Sequence, residues 1–138
     1  MADFIDTNIL LYSVSTNSDE RFKRDRAIGI LNDRSCVLSV QVLQEFYVRA
    51  TRPKHGTAMP EIDAEALVHS WFRYRIAQNT AAILSRAMEI SRLDRISFWD
   101  ASIVAAAESA GCIRVLTEDL NHGQKIGSTE IFNPFVSG

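Results

Sequence analysis

The sequence predicts an α/β fold with a parallel sheet covered on both faces, and three observations predict it. Short apolar runs alternate with stretches of helical periodicity, the pattern of βαβ units. No repeat, low-complexity tract or Pro/Ser-rich linker divides the 138 residues, so residues 1–138 read as a single domain with a sizeable core. Hydrophobic residues make up 46% and charged residues 23%, a globular balance that excludes disorder.

The elements follow in order. Ala2–Ile5 reads as a short strand, and Asp6-Thr7-Asn8 as the turn and N-cap of a helix reaching Val14. Asp19–Asn32 is a second helix. Its Arg21, Lys23, Arg24 and Arg26 are interspersed with Asp19, Glu20 and Asp25, which predicts a solvated face. Cys36–Leu38 is a second strand, and Ser39 caps a helix running to about Ala50. Thr51–Pro60 holds two prolines and a glycine, so it is a loop or bend. Helices fit Asp63–Phe72, Thr80–Arg92 and Phe98–Ala110, with a short strand around Tyr74–Ala77. Ile113–Leu116 is a strand, and Glu130–Phe132 the last.

Composition excludes several classes of function. Fifteen Lys+Arg against seventeen Asp+Glu give a formal charge of −2, so any nucleic-acid binding must be local rather than driven by bulk charge. Cys36 and Cys112 cannot supply a disulfide framework or a four-ligand zinc site. Both flank apolar runs, which predicts reduced, partly buried thiols in a cytoplasmic protein. No apolar run approaches the roughly 20 residues of a membrane span. Asp3 and Asp6 interrupt the early apolar stretch and no basic segment precedes it, so no signal peptide is expected.

In parallel sheets ligands bind beyond the carboxyl ends of the strands. Asp6 follows the first strand there, and Asp119 follows the strand ending near Thr117. Asp100 falls in the first turn of the helix beginning near Ser97, and Glu45 in the helix after the second strand. Two carboxylates about 4 Å apart repel by about 4 kcal/mol at an effective dielectric near 20, so four converging acids need protons or a cation. Oxygen ligands without His or Cys favour Mg²⁺ or Mn²⁺, and such an ion supports phosphodiester or phosphoryl chemistry. Each acid also has a structural reading. Asp6 caps a helix, Asp100 stands at capping-box spacing from Ser97, Glu45 lies off the stripe of Leu43, Phe46, Tyr47 and Ala50, and Glu118 competes with Asp119.

At these four positions the sequence resembles the PIN-domain family, which includes the VapC-like toxin ribonucleases of bacterial toxin–antitoxin pairs. The matching segments are Phe4-Ile-Asp-Thr-Asn-Ile-Leu-Leu-Tyr12, Ser39-Val-Gln-Val-Leu-Gln-Glu-Phe46, Ser97-Phe-Trp-Asp-Ala-Ser-Ile103 and Val115-Leu-Thr-Glu-Asp-Leu-Asn-His-Gly123, with Ile131-Phe-Asn-Pro-Phe135 at the end. They run in order over essentially the whole chain. The resemblance implies a three-layer α/β/α fold with a central parallel sheet, an acidic pocket binding Mg²⁺ or Mn²⁺, and endonuclease activity on RNA. Carried over residue by residue, Asp6, Asp100 and Asp119 are metal ligands, and Glu45 completes the site or orients the attacking water. Thr7, Asn8 and Thr117 match the family's polar supports. The family also implies a homodimer and a small antitoxin, and the concentrated negative charge of the pocket suggests that such a partner places Arg or Lys there as counter-ion. Some relatives carry a further acid where Leu120, Asn121 and His122 follow here, which speaks against a fully occupied second metal site.

Two other classes compete. One is a PIN-like nucleic-acid-binding module without cleavage, against which the retained acids argue. The other is phosphoryl transfer through a phospho-aspartate at Asp6, but Asn8 breaks the Asp-x-Asp pattern and no strand ends in Lys. Arg49, Arg52 and Lys54 begin one turn after Glu45 and either hold RNA phosphates or belong to a solvated loop. Trp71, Phe72 and Tyr74 could stack bases, yet apolar residues at such spacing are more often core or dimer contact. Trp99 reads as packing. His55, His69 and His122 show no metal-ligand spacing, and His122 reads as a polar loop residue.

Overall fold

The structure is a computed structural model that describes residues 2–33, 35–52 and 58–136. Its strands are β1 (Asp3–Ile5), β2 (Val37–Ser39), β3 (Arg75–Ala77), β4 (Arg114–Leu116), β5 (Lys125–Ile126) and β6 (Thr129–Phe132). Its helices are α1 (Thr7–Ser13), α2 (Arg21–Leu31), α3 (Val40–Ala50), α4 (Glu61–Trp71), α5 (Ala81–Asp94) and α6 (Phe98–Ser109). One sheet holds all the strands in the order β3-β2-β1-β4-β6-β5, parallel throughout except where β5 pairs with β6. Right-handed crossovers stepping outward to β3 put α1–α4 on one face, and the return crossover to β4 puts α5 and α6 on the other. The result is the three-layer α/β/α sandwich.

Local chemistry sets the boundaries. Asp6, Ser39, Thr80 and Ser97 each sit at an N-cap and accept a backbone N–H, at Thr7, Val42, Ile83 and Asp100 respectively. The second helix opens as a single 3₁₀ turn over Ser18–Glu20, because the Asn17 side chain already caps Asp19. Proline ends the preceding coil at Pro60, so α4 starts at Glu61, two residues before the expected Asp63. The short antiparallel β5 was not expected. It is the first arm of a hairpin whose Gly127–Ser128 turn needs φ +58 at Gly127. A side chain there would also collide with the Glu108 carboxylate.

The core lies on both faces of the sheet. Phe4, Ile5, Leu38, Val115 and Ile131 are essentially inaccessible on the strands, as are Ile9, Leu10, Val42 and Phe46 on one helical layer. On the other layer every residue of Ala101–Ala107 is buried, and its run of small side chains lets α6 press close to the strands. Cys36 and Cys112 are free and buried, and burial raises both thiols, Cys36 to about 12. Among the described residues no helix is long and apolar enough to cross a membrane. Phe46 packs edge-to-face on Trp71 with ring centroids 4.7 Å apart, tying α3 to α4. Phe46→Ala therefore leaves a cavity at a wholly buried position and should cost about 3–5 kcal/mol in urea unfolding, against a smaller loss for Phe46→Leu.

Candidate active site

β1 and β4 run side by side in register, Ile5 against Leu116, and the chain reverses its direction of travel across the sheet between them. Their carboxyl ends therefore form the crevice where such sheets bind ligands. The Asp6 N–H donates to the Leu116 carbonyl at 3.1 Å, so the residue after each strand is fixed. Thr117 joins them. Its buried hydroxyl donates to Asp6 Oδ2 at 2.8 Å and accepts from Asn8 Nδ2 and from the Asp119 N–H, both at 3.0 Å. One donor and two acceptors are all a hydroxyl has, and all are used. Asp6 Oδ1 accepts the Thr7 N–H at 2.7 Å.

Glu45 reaches the same end of the sheet from α3. Thr7 Oγ1 donates to its Oε2 at 3.1 Å, and Gln41 Nε2, one turn earlier, to its Oε1 at 3.1 Å. Asp100 stands in the first turn of α6, where its N–H donates to Ser97 Oγ. Asp6 and Asp100 both feel the charges of Asp119 and Glu45. Burial, the largest cause, and the charges of Asp119 and Glu45 push the Asp6 carboxyl up to about 7, although the Thr7 and Thr117 hydrogen bonds oppose this. Asp100 is raised by burial first and then by the same two neighbours, against the pull of Ser97.

The donor chemistry suits a hard divalent cation, since every group offered is oxygen. Asn8 Oδ1 adds to this: it is buried and, among the described residues, has no hydrogen-bond partner. Among those residues no three acidic, histidine or cysteine side chains are grouped closely enough to enclose an ion as they stand. Asp119 and Glu45 lie near enough to raise Asp6 and Asp100, and the four acids remain apart.

Several residues sit elsewhere than the sequence suggested. Lys23 is not on a plain solvated face: its Nζ donates to Glu118 Oε2 at 2.9 Å and to Tyr12 Oη at 3.2 Å. Tyr12 donates to the other Glu118 oxygen, and its ring meets Phe135 edge-on at 5.1 Å. These contacts turn Glu118 toward α1 and α2 and leave Asp119 as the acid facing the crevice. Arg26 Nε is likewise engaged, by the Pro134 carbonyl. Trp71 and Tyr74 belong to the core, whereas Phe72 is exposed. Trp99, expected as packing, is 66% exposed on the first turn of α6. No sequence signal marked Lys23; Trp99 was flagged only by its place beside Asp100. Arg49 and Arg52 are exposed at the end of α3 and just beyond it, while Lys54 and His55 lie outside the described residues. His69 is exposed against Phe72, and His122 Nδ1 accepts the Asn133 N–H.

A family model described as PIN domain matches residues 4–125. No curated protein sequence matches the chain. Among solved structures, VapC20 of Mycobacterium tuberculosis, described as a sarcin–ricin loop cleaving toxin, is 22% identical with a TM-score of 0.64, over 85% of this chain and 91% of that one. A toxin–antitoxin complex from Klebsiella pneumoniae is 18% identical with a TM-score of 0.71, over 96% and 98%. DNA-bound VapBC from Salmonella typhimurium is 20% identical with a TM-score of 0.65, over 95% and 96%. At these identities the likeness is one of fold.

The elevated Asp6 carboxyl has a consequence for stability. In the absence of divalent cations the folded chain holds a proton between about pH 4 and 7 that the unfolded chain has already released. Stability should therefore be greatest near pH 4 on this account and fall as pH rises through 7, by an amount of order a few kcal/mol. Thermal unfolding in a chelator across pH 4–8 measures this, and Asp6→Asn should flatten the slope. An equal slope in the variant would place the titrating group elsewhere.

Proposed function

This chain belongs to the PIN-domain family, and on that premise we propose that it is a divalent-metal-dependent endoribonuclease, the toxin component of a toxin–antitoxin pair, working as a single domain in the cytoplasm. One observation supports the reading: Asp6 at the β1–β4 crevice is raised to about 7 by burial and by the charges of Asp119 and Glu45, the two acids that also raise Asp100. A structural role does not call for so much uncompensated negative charge. A cation does.

Asp6, Asp100 and Asp119 would hold Mg²⁺ or Mn²⁺, with Glu45 completing the site. The bound ion supplies Lewis acidity, withdrawing charge from the phosphate under attack and relieving repulsion among the acids. The chain's own groups do the rest. Glu45, fixed by Gln41 and Thr7, orients the attacking water and accepts its proton on a carboxylate oxygen. Thr117 and Asn8 keep Asp6 in place, and the Thr117 hydroxyl also fixes the Asp119 backbone. Arg49, Arg52 and Lys54 bind phosphates away from the cut.

The toxin assignment draws support from the similar structures described as toxin–antitoxin and VapBC assemblies. We infer a homodimer and a small antitoxin that lays an apolar helix on this chain and sends Arg into the acidic crevice, where its planar fork matches a carboxylate. An apolar groove of about 600 Å³ between α3, α4 and β3, lined by Val40, Leu43, Tyr47, Val68 and Phe72, offers that helix a seat.

Purified protein should cut RNA with Mg²⁺ or Mn²⁺ and not in a chelator. Asp6→Asn and Asp100→Asn should each remove cleavage while keeping or raising the melting temperature in chelator, because repulsion is relieved. Wild-type cleavage by either variant refutes the site, and RNA that is bound but never cut favours the non-catalytic module.

Neutralising Arg49, Arg52 and Lys54 together should weaken RNA binding irrespective of sequence and flatten its salt dependence by roughly one unit of slope per contact. A salt slope equal to wild type returns them to the solvated loop.

A further inference from the structure

Trp99 exposes 66% of its surface although it is the residue next to one of the candidate acids, Asp100. It directly precedes Asp100 on the first turn of α6. Its carbonyl accepts a hydrogen bond from Gln41 Nε2 at 3.4 Å, and the same nitrogen donates to the Glu45 carboxylate. The Trp99 backbone is thus bound into the scaffold that positions two of the acids. Its ring has one aromatic neighbour, Phe98, at 5.2 Å and 78°, which steadies it while leaving most of it open. The core duties of this helix fall to the buried run Ala101–Ala107.

An indole left open to water forfeits the hydrophobic stabilisation it would gain from a partner. The surroundings narrow what that partner is. On the ribonuclease reading the cation and Arg49, Arg52 and Lys54 answer the phosphates, which leaves the bases to be held near Asp100 by an attraction that does not depend on charge. An aromatic face stacked on a base supplies one, and it requires a base that is unstacked and unpaired. We propose that Trp99 is the stacking platform for an unpaired RNA base beside the scissile phosphate, an inference that rests on the ribonuclease reading above.

The chain suits a direct test because it has two tryptophans and the other, Trp71, is 4% exposed and packed on Phe46. In the cleavage-silenced Asp6→Asn background with Mg²⁺, titrating a short single-stranded oligoribonucleotide should quench tryptophan emission. A duplex of the same sequence should quench far less. Trp99→Phe should abolish the quenching, leaving only Trp71 emission, yet bind labelled oligonucleotide within a few-fold of its parent because the phenyl ring still stacks. Trp99→Ala should bind roughly tenfold to a hundredfold more weakly. Unchanged affinity in Trp99→Ala overturns the proposal alone, as does a fall in molecular mass of that variant with RNA affinity intact, which would make Trp99 a contact between copies of the chain. Failure of the parent to bind RNA, with no cleavage by the wild-type chain, overturns the proposal together with the ribonuclease reading.

Discussion

A single hydroxyl holds the crevice together. Thr117 Oγ1 donates to Asp6 and accepts from Asn8 and from the backbone of Asp119, so it links the ends of β1 and β4 and the first turn of α1. Each of these partners is otherwise in an unfavourable position. Asp6 is buried near like charges, Asn8 is buried with its carbonyl oxygen unpaired among the described residues, and Asp119 lies in the turn that leaves β4. The junction works because β1 and β4 are adjacent and parallel, which in turn requires the chain to step outward to β3 and return. Topology thus makes the crevice, and the hydroxyl gives it a fixed floor.

The acids built on that floor are deliberately at odds with their surroundings. Asp6, buried near the charges of Asp119 and Glu45 and pushed up to about 7, stores free energy that a cation held there would release. On the reading proposed above, the same repulsion would serve catalysis and inhibition alike, because an activating ion and a partner's guanidinium would answer one electrostatic demand. Gln41 and Thr7 both donate to Glu45, and among the described residues no cation pairs with it.

Most of the fold was legible in the sequence because each element is announced by local chemistry. Ser39, Thr80 and Ser97 stop a strand or coil and start a helix by the same side-chain cap, and five of the six strands show as short apolar runs. β5 is two residues long, below what any periodicity can register, and only its glycine turn betrays it. The four acids are expected as a set from their placement at strand ends and from the family pattern, not one at a time. Contacts between distant segments were not legible. Nothing local couples Lys23 to Glu118 across 95 positions, and that contact is what singles out Asp119 over its acidic neighbour. Trp99 was misjudged for a related reason: a large apolar residue is inside by default, and burial depends on which helix face the tertiary structure leaves open.

The sheet's two margins limit how another protein can approach. One is β3, three residues long, and the other β5, two residues long and folded back as a hairpin. Neither offers a run of free peptide groups long enough for a visiting chain to zip onto as an added strand. Association with this molecule must therefore be read out by side chains on helices, where sequence can vary, rather than by main-chain pairing, which is blind to sequence. A fold whose edges are closed in this way can tell its own partner from the many similar chains that a cell could contain.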